Sequence, residues 1–275
     1  GAGCTADGSA GATEDGGAEA TTGAMQEAGD AEAGTGDDGG AGGDGCGMDP
    51  SEIELTLEVN GQTRAFELHV PADYDPSQAY PLIFGLHGGG GTAAAFRGYA
   101  GLDQAVGSEA IVVYPEGLFE EGTTAQVWRL DPAGEDFVFF DALRSYLFDN
   151  LCVDKSRVFA TGWSMGGYMA NGLGCYRAGT FRAIASCSGG TPGPKPGLTP
   201  YPPCEGQLPA LVIHGSEDTV IPISEGTTIR DRFATNNGCG SSTAAVEPSP
   251  CVAYDGCEQP THWCEFSGGH EWPDF

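Results

Sequence analysis

The sequence predicts an α/β fold: a doubly wound, mainly parallel sheet with an antiparallel N-terminal hairpin leading into it. Three observations carry this. Short β-branched segments alternate with stretches of helical spacing between residues 82 and 236. Asn60-Gly61 separates two segments of alternating polarity. A Gly-x-Ser-x-Gly turn stands where a strand gives way to a helix.

Ile53–Val59 and Arg64–Val70 alternate apolar with polar residues, and Asn60-Gly61 between them is a strong hairpin signal, because both positions tolerate positive φ. Leu82–Leu86 reads as a buried strand, Thr92–Val106 as one helix, and Ala110–Tyr114 as a strand stopped at Pro115. Phe137, Phe140, Leu143 and Leu147 give residues 136–150 a helical face, and Ser156–Thr161 reads as the next strand. After the Ser164 turn come a helix, strands at Phe181–Cys187 and Leu211–Ile213, and a helix over 223–236. Thr191–Pro209, dense in Pro and Gly, reads as an irregular loop, placed where a substrate-binding wall would stand.

Gly162-Trp163-Ser164-Met165-Gly166 carries the chemistry. A serine on such a turn projects above the sheet at a helix N-terminus, which favours developing negative charge; the glycines let the backbones approach. A serine hydroxyl needs a base to take its proton, and an imidazole base works best when a carboxylate fixes its tautomer. Asp218 ends the strand Leu211–Ile213, and His270 sits on the loop Gly268-Gly269-His270, so the chain order is nucleophile, acid, base. That order predicts a serine hydrolase of the α/β-hydrolase fold with the triad Ser164, Asp218 and His270. Glu217, the rival acid, is expected to face solvent.

His87-Gly88-Gly89-Gly90-Gly91 follows the strand at 82–86 and predicts an oxyanion hole, with Met165 supplying one amide and Gly89, preferred over Gly90, the other. His87 is read as a structural hydrogen-bonding residue, since His270 fits the base. Trp128, Trp163 and Trp272 are candidates to line a substrate slot; core packing is the better reading of Trp163, and Trp272, beside His270, is the favoured wall.

Residues 1–47 lack Lys, Arg, aromatic and branched aliphatic residues and consist almost wholly of Gly, Ala, Asp, Glu, Ser and Thr. Such a segment has too little apolar surface to offset its ordering entropy, so it is expected to be a disordered tether before a catalytic domain over 48–275. Of the formal charge of −28, residues 1–50 hold −11, leaving −17 on residues 51–275, an acidic remainder. That argues against nucleic acid and anionic membranes as partners and favours neutral or hydrophobic substrates over polyanions; the expected partner is a small or polymer-linked ester substrate, and the expected state a monomer. Ten cysteines without a C-x-x-C pair or zinc-site spacing predict disulfides in an oxidising compartment, at least three of them within residues 46–275, and neither metal nor cofactor. The connectivity stays open. Disulfides in an oxidising compartment make a secreted or extracellular protein the expectation, and no run of this sequence is long and apolar enough to read as a signal peptide or membrane span. Ala2-Gly3-Cys4 before an acidic spacer also fits a cell-surface lipoprotein, although the branched aliphatic residue three before the cysteine is missing.

From about Cys46 to Trp272 the chain resembles the feruloyl esterases of carbohydrate esterase family 1 and the related polyhydroxybutyrate depolymerase-like (LpqC-type) esterases. The matching segments are Tyr80–Gly88, Gly134–Asp141, Leu151–Asp154, the turn at 162–166, Asp231-Arg232-Phe233 with Asn237-Gly238-Cys239, Tyr254–Cys257 and Gly268-Gly269-His270. The resemblance implies the same triad and the same oxyanion amides, at Met165 and after His87-Gly88. It implies hydrolysis of hydroxycinnamoyl esters of plant cell-wall polysaccharide through an acyl-enzyme. The alternatives are a polyester (polyhydroxyalkanoate-type) depolymerase or an acetyl-xylan esterase and, from another class, an inactive glycan-binding scaffold, for which a complete triad has no use. A peptidase of this fold carries an added propeller or lid domain, for which the chain is too short.

Overall fold

A computed structural model describes residues 45–193 and 202–273. The expected tether, Cys4 with its lipoprotein reading, and the middle of the 191–209 loop therefore lie outside the described residues, apart from residues 45–47. These three are tied to the folded unit: the Gly45 N–H donates to the Phe148 carbonyl at 2.8 Å, and Cys46 is bridged to Cys152.

The lead-in hairpin pairs β1 (Thr56–Val59) with β2 (Gln62–His69), turning through Asn60 and Gly61, both at positive φ. β3 (Tyr80–Leu86) follows, then α1 (Ala93–Ala100) and α2 (Leu102–Val106). The single helix expected over 92–106 is thus two helices. The periodicity runs through the break, but Gly101 adopts φ 63° and ends α1 in the left-handed conformation that favours glycine. The Thr92 hydroxyl accepts the Ala95 N–H and caps the start of α1.

β4 (Ile111–Pro115) is buried along its whole length. A small hairpin of β5 (Leu118–Phe119) and β6 (Gln126–Val127) leads to α3 (Glu135–Asn150), whose Phe137, Phe140, Leu143 and Leu147 lie in the core, as their spacing predicts. β7 (Val153–Trp163) runs into α4 (Met165–Tyr176), nearly every residue of which is buried. β8 (Ala183–Cys187), β9 (Ala210–Gly215) and α5 (Ile223–Asn236) continue the alternation. Three further strands, β10 (Thr243–Ala245), β11 (Cys251–Tyr254) and β12 (Thr261–Phe266), were not anticipated from sequence.

The ten strands form one sheet in the order β1-β2-β4-β3-β7-β8-β9-β12-β11-β10. The six from β4 to β12 are mutually parallel, and antiparallel pairs flank them on both sides. Ligands and catalytic groups in such sheets gather at the C-terminal strand ends, here those of β3, β7, β9 and β12. Four disulfides join Cys46 to Cys152, Cys175 to Cys204, Cys239 to Cys257 and Cys251 to Cys264. Cys187 is a buried free thiol. Among the described residues no helix is long and apolar enough to cross a membrane.

Candidate active site

Ser164 links the C-terminal end of β7 to the first turn of α4 at φ 57° and ψ −120°, a conformation that non-glycine residues seldom adopt. Its surroundings hold it there. The Ser164 N–H donates to the Cys187 carbonyl at 2.9 Å, and the Ser164 carbonyl accepts the Tyr168 N–H at 3.1 Å. A Cβ on Gly162 would overlap the Gly166 carbonyl, and one on Gly166 would overlap the Leu86 carbonyl. The serine is thereby presented at the N-terminal end of a buried helix, where unpaired amides favour negative charge.

Asp218 lies just beyond β9 and is buried. Its Oδ1 accepts the N–H groups of Val220 and Ile221 at 2.9 and 2.8 Å, which fixes the plane of the carboxylate. Its Oδ2 is 2.7 Å from Nδ1 of His270. Burial raises the Asp218 pKa, but the hydrogen bonds from His270, Ile221 and Val220 outweigh it and hold the carboxyl below its usual value. Glu217 is exposed. His214, whose part was not foreseen, packs behind the acid: it is fully buried, its Nε2 lies 2.9 Å from the Ile221 carbonyl, and the same nitrogen is 3.6 Å from Asp218 Oδ2.

The His270 loop follows β12 and is anchored on three sides. The Glu217 N–H donates to the Gly268 carbonyl at 2.9 Å, the Cys187 thiol donates to the Glu271 carbonyl at 3.3 Å, and the Trp272 N–H donates to the Tyr99 hydroxyl at 2.8 Å. The imidazole lies against the indole of Trp163, with ring centroids 4.8 Å apart, which sets it beside the residue preceding Ser164.

The glycine loop after β3 crosses above Met165. A Cβ on Gly89 would meet the Met165 sulfur at 3.3 Å, and one on Gly88 would meet the Trp163 ring at 3.0 Å. The Gly90 N–H is committed to the Gln126 carbonyl at 2.7 Å, whereas neither the Gly89 nor the Met165 N–H has a hydrogen-bond acceptor among the described residues. His87 holds this loop from beneath. Its Nε2 accepts the Gly117 N–H at 3.0 Å, which leaves Nδ1 protonated and 2.7 Å from the Gly88 carbonyl. Burial lowers its pKa and keeps the ring neutral.

A cavity of about 380 Å³ opens beside the serine, between the glycine loop and α1, and its aromatic lining is Phe96, Tyr99 and Trp163. The three tryptophans fall differently from expectation. Trp128 is 2% exposed, donates its indole N–H to the His87 carbonyl at 2.8 Å and packs between His87 and Phe140, so it supports the loop and cannot reach a substrate. Trp163, read as core, lines the cavity. Trp272, favoured as the wall, instead packs edge-on against Phe96 at 5.5 Å, and the cavity lining does not include it. Phe96 and Tyr99 were not singled out from sequence; their i, i+3 spacing directly after the glycine run was the available signal.

The sequence profile of the Phospholipase/Carboxylesterase family matches residues 139–252. Feruloyl esterase C of Emericella nidulans is 35% identical over 246 residues, covering 84% of each chain. Feruloyl esterase D of Neurospora crassa is 32% identical over 254 residues, covering 82% of this chain and 81% of its own. Among solved structures, the acetyl xylan esterase from Aspergillus awamori superposes with a TM-score of 0.62 at 16% identity, covering 76% of this chain and 90% of that one. A ferulic acid esterase gives 0.57 at 17% identity over 79% of this chain and 90% of that one. These last two likenesses establish the α/β-hydrolase fold.

Proposed function

Because the chain belongs to the feruloyl esterase family of serine esterases, we propose that it hydrolyses hydroxycinnamoyl esters of plant cell-wall polysaccharide through an acyl-enzyme. The observation that carries this reading is the 2.7 Å contact between His270 and Asp218, made across 52 residues of chain and beside the strained turn at Ser164.

In this reading His270 takes the Ser164 proton at Nε2 while the Ser164 oxygen attacks the ester carbonyl. The carboxylate of Asp218, at Nδ1, fixes the tautomer and stabilises the imidazolium. The amides of Met165 and Gly89 receive the oxyanion, each worth about 3–4 kcal/mol by comparison with measured donors. Their lack of any other acceptor, and the engagement of Gly90 elsewhere, support Gly89 over Gly90. His270 then gives its proton to the departing sugar oxygen, which leaves as a hydroxyl, and water repeats the attack on the acyl-enzyme, releasing the hydroxycinnamic acid and restoring the Ser164 hydroxyl. Trp163 faces the acyl group, whereas Trp128 and Trp272 act from behind other residues.

The enzyme works as a secreted protein, a reading the four disulfides support, and the net charge of −17 over residues 51–275 supports a substrate other than nucleic acid. Initial rates on methyl ferulate, acetylated xylan and 3-hydroxybutyrate oligomers, with Ser164→Ala as control, test the assignment. A faster rate on either of the last two would replace it with the acetyl-xylan or polyester reading.

A further inference from the structure

Tyr99 stands in an unusual position. It lies in the last turn of α1, two residues before Gly101 turns the chain away. The residue is 49% exposed, although it lines the cavity beside Ser164 and its ring meets that of Trp163 edge-on with centroids 5.3 Å apart. Its hydroxyl accepts the Trp272 N–H at 2.8 Å, two residues from His270. One turn earlier on the same helix, Phe96 is almost fully buried, wedged edge-on against Trp272 at 5.5 Å and Tyr114 at 6.5 Å. The cavity thus has a fixed inner ring at Phe96, a fixed side at Trp163 and an outer ring at Tyr99. The small residues Gly88, Gly89, Gly91 and Ala95, together with His87 and Thr92, complete the lining. Three aromatic rings thus share one cavity wall, and such rings gain most from a planar aromatic acyl chain packed offset or edge-on.

We propose that Tyr99 is the specificity-determining residue of the acyl slot: its ring is the outer wall that selects an aromatic acyl group, and its hydroxyl docks the histidine loop. The proposal rests on the feruloyl esterase reading above. The two functions are carried by different atoms and are therefore separable. Removing the hydroxyl alone loosens the loop behind His270 and slows turnover on any ester. Removing the ring as well takes away the wall, which matters only to an acyl group long and flat enough to reach it.

The test compares kcat/KM on 4-nitrophenyl ferulate and 4-nitrophenyl acetate, which share a leaving group, for the wild type, Tyr99→Phe and Tyr99→Leu, with Tm measured for each. Tyr99→Leu is expected to lower the ferulate-to-acetate ratio by about tenfold. Tyr99→Phe is expected to keep the ratio while lowering kcat on both esters by a similar factor. Equal slowing of both esters in Tyr99→Leu, in a wild type that prefers ferulate, would overturn the role of Tyr99 and leave the feruloyl esterase reading standing. A wild type that hydrolyses the acetate without preferring the ferulate would overturn both.

Discussion

Gly162 and Gly166 face each other across the serine turn so closely that a Cβ on the first would overlap the carbonyl carbon and oxygen of the second. The obstacle is backbone, which cannot rotate away as a side chain can. Gly162→Ala is therefore expected to destabilise the fold by about 3 kcal/mol or more, with esterase activity falling in parallel. Urea unfolding of the purified variant measures the first and the rate on methyl ferulate the second. A variant with wild-type stability would show that the turn is looser than its geometry indicates.

Ser164→Ala is expected to lower ester hydrolysis by about three to six orders of magnitude with the fold intact, and His270→Ala by a similar factor, because the triad acts as a unit. Asp218→Asn should cost somewhat less, since the imidazole keeps a partner but favours the wrong tautomer. Glu217→Gln should be nearly silent, because Glu217 is exposed. A serine-directed phosphonate should label Ser164 alone and fail to label the His270 variant. Wild-type rates in Ser164→Ala would remove the mechanism.

Asp218 gives the protein a specific acid sensitivity. Burial alone would raise its pKa, but the bonds from His270, Ile221 and Val220 hold it below the unfolded value. A carboxyl with a depressed folded pKa contributes stability that is present above its unfolded pKa and lost as the pH falls through the folded one. The stability difference between wild type and Asp218→Asn should be constant near neutrality and shrink below about pH 4. Urea titrations across that range read it directly, and a difference independent of pH would contradict the assignment.

Cysteine chemistry supplies a fourth expectation. Burial pushes the Cys187 thiol up to about 12, so it should resist alkylation in the native protein and react once the chain is denatured without reductant. The eight bridged cysteines should remain unlabelled in both cases by peptide mapping. Replacing Cys46 and Cys152 together by serine, which opens a link spanning 106 residues, should lower stability by about 2–4 kcal/mol while the native-state rate holds.

The tether expectation has its own test. Removing residues 1–44 keeps the Gly45 hydrogen bond and the Cys46 bridge. Such a variant should retain its rate and melt within about 2 °C of the full chain, because the removed segment has almost no apolar side chains to pack. A larger drop would show that it docks.

The parts of the molecule legible in sequence were those governed by local rules. Asn60-Gly61 announces its hairpin because few dipeptides accept two positive φ values, and Phe137, Phe140, Leu143 and Leu147 announce their helix by spacing. What stayed hidden depends on tertiary neighbours. Nothing local distinguishes Gly101, which splits one helix into two, from a glycine tolerated within a helix. The burial of β10 to β12 follows no regular alternation, so their pairing appears only in the backbone ladders, where Cys251 stands opposite Cys264. The tryptophans show the same limit: residue type gives an aromatic surface, but only the packing of His87 beneath one ring and Phe96 against another decides which of them faces a substrate.

The sheet order has a bearing on how the enzyme comes into being. Ser164 leaves β7, Asp218 leaves β9 and His270 leaves β12, and β12 docks beside β9 only after α5 and two flanking strands have been made. A ribosome working from the N-terminus delivers the nucleophile first, the acid second and the proton acceptor last. A nascent chain that has already shaped its serine turn still has no base to activate it. The nucleophile, the acid and the base therefore meet only once β12 lies beside β9, the pairing that completes the parallel sheet.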